Sequence, residues 1–198
     1  MCRILIVMLS YLAGTIPFGV VCSRLFKLGD VRKMGSGNIG ATNVLRTGCY
    51  SAACLTLVGD FAKGFVPVFI SRPDNLWWTS IVAIFAVIGH VFPLWSRFRG
   101  GKGVATTAGA LCALEPLAFA IGLCAWLGTF FFTRISSLAA LVSTCFVLPI
   151  YAVVRVLYAQ SAYSILFFAF AAAALIAFTH RSNIKRLVNH EEIPVILK

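Results

Sequence analysis

The feature that most constrains this chain is a series of six apolar runs, at residues 4–21, 50–70, 76–95, 104–132, 135–154 and 162–179. A helix needs about 20 apolar residues to cross the hydrocarbon core of a bilayer, where each backbone polar group must be satisfied within its own element. Five of the runs fit one crossing each. The fourth is too long for one and short for two, and Glu115-Pro116 interrupts it. Proline cannot continue a helix, so this pair reads as a turn between a short helix and a fuller one. Composition points the same way: of 198 residues, 60% are hydrophobic and 12% charged, with a mean hydropathy of +0.93. Soluble domains run near a quarter charged. So few charges cannot coat a soluble globule, and disordered, collagen-like and disulfide-scaffold classes are excluded as well. Residues 1–21 resemble a secretory signal, but the run outlasts a typical signal core and lacks a clear small-residue cleavage site, so it reads as a first span. The expected fold is all-α: a polytopic membrane protein whose residues 1–198 form a single integral-membrane domain.

Charge sets the expected topology. The chain carries 17 Lys+Arg against 6 Asp+Glu, a net +11. With about seven transmembrane helices, one of them short, segments 24–48, 97–102, Arg134 and the tail after His180 share one side. They hold 5, 3, 1 and 4 basic residues, 13 in all, against Arg3, Arg72 and Arg155 on the other side. With six helices the division falls to 9 against 7. Positive-inside bias favours seven, with the N-terminus outside and the tail in the cytoplasm. A basic surplus on a membrane protein also suits anionic lipid or an anionic substrate. Nucleic acid is not an expected partner, because the basic residues fall in short clusters between apolar runs. The seven cysteines form no CxxC and mostly sit within apolar runs, which fits small buried thiols better than a metal site.

Three clusters carry chemistry. Gly35-Ser36-Gly37-Asn38-Ile39-Gly40-Ala41-Thr42-Asn43-Val44-Leu45-Arg46 contains GxGxxG, but no strand precedes it and no acidic residue follows at the spacing a dinucleotide needs. What remains is a glycine-rich loop entering a membrane helix. Its backbone N–H groups suit an anion, and Arg46 offers a planar fork for phosphate. A flexible loop with topogenic charge is the plain alternative. In Arg97-Phe98-Arg99-Gly100-Gly101-Lys102-Gly103-Val104-Ala105-Thr106, glycines surround one lysine, yet GxxxxGK[ST] is absent and ATP hydrolysis has no support. In His180-Arg181-Ser182-Asn183-Ile184-Lys185-Arg186-Leu187, His180 and Asn183 are spaced i, i+3 and would share a helix face; a cytoplasmic charge anchor is the alternative. Within the spans, Asp60 and Lys63 have the spacing of a buried ion pair, a structural arrangement more often than a catalytic one. His90 reads as a satisfied interior histidine.

These elements, with Asp60-Phe61-Ala62-Lys63-Gly64 and Gly89-His90-Val91-Phe92-Pro93, resemble the bacterial acyl-phosphate-dependent glycerol-3-phosphate acyltransferases of the PlsY type, in the family's order and over most of the chain. Ser182 stands where an acidic residue is common, His190 where Gly is usual, and Glu192 matches the family's late Glu. The resemblance implies acyl transfer from acyl phosphate to the 1-hydroxyl of glycerol 3-phosphate, giving lysophosphatidic acid and phosphate. It also implies the bacterial inner membrane with the active site facing the cytoplasm, contact with membrane lipid, no cofactor or metal, and an upstream acyl-phosphate-forming enzyme as a candidate partner. The site it implies comprises Ser36, His180 and Asn183 as catalytic residues. Ser36, Gly37, Asn38, Arg46, Gly100, Gly101, Lys102, Gly103 and, more weakly, Ser137 would bind substrate phosphate, with Asp60, Lys63 and Glu192 structural. The HxxxxD pair of acyltransferases that use acyl-CoA or acyl carrier protein is absent: the fifth residue after His90 is Trp95, and after His180 it is Lys185. The rival from another class is a small anion or phosphate transporter, which would put broken helices and charge at span centres.

Overall fold

The computed structural model describes residues 2–72, 75–158 and 162–195. Among them every regular element is helical: α1 (Cys2–Gly14), α2 (Phe18–Leu25), α3 (Ala41–Leu45), α4 (Tyr50–Ser71), α5 (Leu76–Val91), α6 (Val104–Leu114), α7 (Pro116–Thr133), α8 (Ser136–Leu141), α9 (Leu148–Tyr158), α10 (Tyr163–Thr179) and α11 (Arg181–Val188). A π-helical stretch, Val142–Val147, joins α8 to α9 in one 23-residue apolar helix. Four helices are long and apolar enough to cross a membrane, or up to six if the bent pairs α1–α2 and α10–α11 each count as one span. The break at Glu115-Pro116 falls where the sequence places it. Pro116 opens α7 at a position whose N–H has no intrahelical partner in any case. The short helix α6 lies before it. Tyr151 donates to Glu115 Oε1 at 2.8 Å, so the carboxyl at the turn is not left unpaired.

The first apolar run is not one rod. It bends by 40° between α1 and α2, over Thr15, Ile16 and Pro17. A broken helix within a membrane exposes carbonyls that need other partners. Lys63 Nζ supplies one, donating to Ile16 O at 2.9 Å while pairing with Asp60 Oδ1 at 2.9 Å. The i, i+3 ion pair expected from sequence is therefore present, and it ties α4 to the break. His90 Nδ1 lies 3.5 Å from the same Asp60 oxygen but makes no hydrogen bond, so it is not the satisfied interior histidine its context suggested.

Small residues hold the helices together. A Cβ on Gly64 would meet Thr106 O, and one on Gly109 would meet Phe61 O, so α4 and α6 approach backbone to backbone. Gly14 and Gly89 do the same for α1 and α5, against Ala86 O and Tyr11 O. Lipid tails are as apolar as leucine, so helix association in a bilayer depends on this close van der Waals fit. Large side chains such as Phe132, Leu157 and Phe131 point outward. The helix α7 is the least enclosed, with 6% of its apolar window buried. We expect Gly109→Ala to lower thermal stability in detergent by about 1–3 kcal/mol, because the methyl has no place to go. Gly128→Ala, where a Cβ meets nothing within 4 Å, should be neutral or slightly stabilising. Equal effects of the two substitutions would remove close glycine packing from the account.

Candidate active site

The first glycine-rich loop is folded around one side chain. Asn43 is buried, and its Oδ1 accepts from Ser36 N at 2.8 Å and Ser36 Oγ at 3.2 Å. Its Nδ2 donates toward Val31 O, Met34 O and Asn38 O at 2.8–3.0 Å. Gly35 and Gly37 take φ of +52° and +70°, and a Cβ on Gly35 would strike Asn43 Oδ1. The loop is thus a built turn rather than slack chain, and Ser36 is held by both its N–H and its hydroxyl. Asn38 spends its side-chain oxygen on Gly40 N, which makes it a turn former. Thr42 and Ser136 hydroxyls meet at 3.2 Å and pin the loop to α8.

The second loop returns to α5 through Gly100 N→Val91 O and Gly101 N→His90 O, at 3.0 and 3.1 Å. Gly101 packs so close to His90 Nε2 that a side chain there would overlap the imidazole. Gly103, at φ +86°, turns the chain into α6. These contacts aim Lys102 across to the last cluster, where its Nζ donates to Asn183 Oδ1 at 2.5 Å. Thr179 Oγ1 holds the Lys102 carbonyl at 3.1 Å.

His180 does not continue a helix, as the i, i+3 spacing suggested. It is the corner between α10 and α11, which meet at a 66° bend, while Asn183 lies inside α11. His180 Nδ1 sits 2.8 Å from Ile176 O. A carbonyl only accepts, so the neutral ring carries its proton on Nδ1 and leaves Nε2 as an acceptor. Burial, reinforced by the Lys102 charge, pushes the His180 pKa down to about 4, against the opposing pull of the Ile176 carbonyl and Glu192.

Glu192 joins the clusters. It accepts from Ser137 Oγ at 2.7 Å and Asn183 Nδ2 at 2.5 Å on one oxygen, and from Arg186 Nε at 2.6 Å on the other. Burial raises its pKa, but hydrogen bonds from Arg186, Ser137 and Asn183 outweigh that and hold it below the ordinary carboxylate range. The tail that carries it is strapped down by Arg46 NH2→Ile193 O at 3.2 Å and Val195 N→Arg134 O at 2.8 Å. The charges then sort themselves. Arg186 is matched by Glu192, while Lys102 and Arg46 rest on an amide and a carbonyl oxygen, which are neutral. Burial pulls the Lys102 pKa down to about 8; Glu192 opposes this, and the positive charges of Arg186 and Arg46 add to it.

A cleft of about 370 Å³ runs from this cluster between α4, α6, α7 and α8. Ser36, Asn38, Arg46, Lys102, Gly103, Ser137, His180, Asn183 and Glu192 line its polar part, and Leu111, Phe119, Leu123, Trp126 and Leu148 its apolar part. Gly37, Gly100 and Gly101 shape the loops without lining it, and Asp60 and His90 reach its wall. Lys63 stays behind Asp60. Sequence reasoning passed over Asn43 and the groove-facing side of α7. A lone polar residue between Thr42 and Val44 was the available sign of the first; uniform hydropathy conceals the second. Among the described residues no group of three or more His, Cys, Asp or Glu is arranged to hold a metal ion.

Comparison with known proteins gives this geometry a family. Residues 4–190 match the model of the glycerol-3-phosphate acyltransferase family. A glycerol-3-phosphate acyltransferase of Bordetella pertussis is 46% identical over 192 residues, covering 94% of this chain and 89% of the relative. One from Pseudomonas fluorescens is 50% identical over 154 residues, covering 75% and 79%. The crystal structure of PlsY, an integral membrane glycerol 3-phosphate acyltransferase, superposes in its glycerol 3-phosphate form with a TM-score of 0.88. It is 36% identical and covers 98% of this chain and 96% of that one. Its lysophosphatidic acid form gives a TM-score of 0.85 at 34% identity, covering 98% and 95%. The chain therefore belongs to the PlsY family of integral membrane glycerol-3-phosphate acyltransferases.

Proposed function

We propose that this chain moves a fatty acyl group from acyl phosphate to the 1-hydroxyl of glycerol 3-phosphate, at the cytoplasmic face of a bacterial inner membrane. The observation that carries the reading is one cleft with two cations that touch no carboxylate at one end and an apolar groove at the other. Phosphate near neutral pH is close to a dianion, so Lys102 and Arg46 match it in charge. A donor with an acyl tail needs the apolar end. In the reaction, the C1 hydroxyl oxygen attacks the acyl carbonyl carbon, a new ester C–O bond forms, and the C–O bond to phosphate breaks. The donor is a mixed anhydride, already activated, so no covalent nucleophile is required. The hydroxyl proton leaves with the departing phosphate.

Residue roles follow from position. Lys102 and Arg46 clamp phosphate, with Arg46 suited to a bidentate contact. Ser36, on its ordered loop, and Ser137 offer hydroxyls to it, and the glycines Gly37, Gly100, Gly101 and Gly103 let backbone approach. Asn183 has one N–H on Glu192 and its oxygen on Lys102; it spaces the two charges and keeps a second N–H for substrate. His180 presents Nε2 as an acceptor that fixes the direction of the hydroxyl. Its low pKa makes it a weak base, which favours the leaving phosphate as proton carrier. Asp60, Lys63 and Glu192 hold the frame. Residues 1–198 act as one membrane domain, of seven helices if α6 is counted, with the N-terminus outside. The three basic clusters gather at helix ends, and the mid-span charges Asp60 and Lys63 are paired with each other, which weighs against a transporter. Glycerol 3-phosphate, acyl phosphate, membrane lipid and an acyl-phosphate-forming enzyme upstream are the partners this reading requires.

Purified protein in detergent should acylate glycerol phosphate from acyl phosphate. Turnover with acyl-CoA free of acyl phosphate should be poor, and efficient use of acyl-CoA would contradict the donor assignment. Lys102→Ala removes a charge-assisted contact worth about 1.5–3 kcal/mol, so the KM for glycerol 3-phosphate should rise roughly 10- to 100-fold. In the free wild-type protein the same KM should climb as pH passes about 8, where Lys102 loses its proton, and Lys102→Arg should flatten that rise. A KM indifferent to both changes removes Lys102 from the clamp. Protonation of the substrate phosphate gives kcat/KM an acidic limb at about pH 6, and that limb should persist in His180→Gln, since His180 stays neutral down to about 4. A limb there that disappears in His180→Gln would make His180 the base instead.

A further inference from the structure

The polar end of the cleft answers to the phosphates; the bulky side chains that line its apolar end carry the inference. We propose that acyl chain length is selected by a pocket closed by Leu111, Phe119 and Leu148, with Gly122 as the position that leaves the chain its room. The inference rests on the acyltransferase reading above. Along each of three helices, the lining residue farthest in sequence from the polar loops is bulky and apolar: Leu111 on α6, Phe119 on α7 and Leu148 at the start of α9. Leu111 and Leu148 are 5% and 2% exposed and belong to the packed core. Phe119 meets the ring of Phe61 edge-on, with centroids 5.8 Å apart, so α4 backs it and limits its swing.

Gly122 faces this space. Phe119, Gly122 and Trp126 all line the cleft, at i, i+3 and i+7 of α7, so they share one helix face and the glycine leaves a notch between two rings. A Cβ at Gly122 would meet nothing within 4 Å. Glycine inside a helix is less favourable than alanine. No neighbouring element requires it here, in contrast to Gly64 and Gly109, and its value lies in the open groove. From Ser137 to Leu148 the helix climbs on the order of 15 Å, at about 1.5 Å per residue where it is α-helical and less through the π-helical stretch. An extended chain advances about 1.2 Å per bond, so the pocket suits on the order of a dozen carbons beyond the carbonyl. The tail passes from one apolar medium to another, so transfer from water contributes little and selection comes from fit. Surplus carbons press on Phe119, and short tails leave a void whose walls lose their contacts.

The test compares kcat/KM for decanoyl, tetradecanoyl and octadecanoyl phosphate, together with the affinities of lysophosphatidic acids of the same chain lengths, which read the tail pocket without any donor. Gly122→Leu should lower the octadecanoyl-to-decanoyl ratio about tenfold or more, and Phe119→Ala should raise it by a similar factor, in both series. Thermal unfolding in detergent checks that each variant is folded. Should either fail, Gly122→Ala and Phe119→Leu carry the same directions with smaller shifts. Folded variants with wild-type ratios in both series would overturn the pocket and mean that the tail leaves sideways into the bilayer. Shifted lysophosphatidic acid ratios without transfer from any acyl phosphate would uphold the pocket and reject the donor reading.

Discussion

The carboxylate of Glu192 is the interaction on which the polar end of this molecule depends. It takes hydrogen bonds from α8, α11 and the side chain of Arg186, and through Asn183 it reaches the Lys102 loop. Ser137 and two of the polar clusters, around Lys102 and His180, meet through it, while Arg46 of the first cluster holds the neighbouring Ile193 carbonyl. Its more important effect is electrostatic. By pairing with Arg186 alone, it leaves Lys102 and Arg46 on neutral oxygens. Lys102, half-buried, gains more from an arriving anion than it would in water, whereas Arg46 stands exposed and is screened more. A second carboxylate here would neutralise the site. Without the first, Arg186 would add a third unmatched charge and Asn183 would lose its anchor.

The membrane imposes the other constraint. Every departure from regular helix must be satisfied locally, and partners stand at three of them: Lys63 at the bend after α1, Tyr151 at Glu115, and Thr179 on the Lys102 carbonyl. The backbone contacts of Gly64 and Gly109 bring α4 and α6 close, and α7 is left at the rim with its sides exposed. An open groove beside a tightly packed pair is what an amphiphilic ligand requires, since its head must reach ordered polar groups while its tail remains in an apolar phase.

Much of this is legible in the sequence. Hydropathy located the apolar helices, and Glu115-Pro116 marked the break after α6. The three polar clusters stood out because charge and glycine are scarce elsewhere in the chain. Other features were hidden for physical reasons. Window averages blur a break such as Thr15–Pro17, because the flanking residues are as apolar as any span. The i, i+3 spacing of His180 and Asn183 gave no sign that the helix turns at His180, since spacing reports a helix only where one exists. Asn43 looked like one more polar loop residue, although its amide sets the loop. The π-helical stretch at Val142–Val147, whose Ser143 and Thr144 line the cleft, has no residue pattern that separates it from α-helix. No pattern in the α7 sequence separates its groove side from its lipid side, because both are apolar.

On this account the centre of the molecule is a single anion site made by two cations that share one phosphate. A double-mutant cycle on the affinity for glycerol 3-phosphate, measured by calorimetry in detergent with Lys102→Ala, Arg46→Ala and the pair, addresses that directly. If both side chains hold the same phosphate, the losses should not add, and the coupling energy should reach about 1 kcal/mol or more. Losses that add to within about 0.5 kcal/mol would place Lys102 and Arg46 at separate sites and contradict the account.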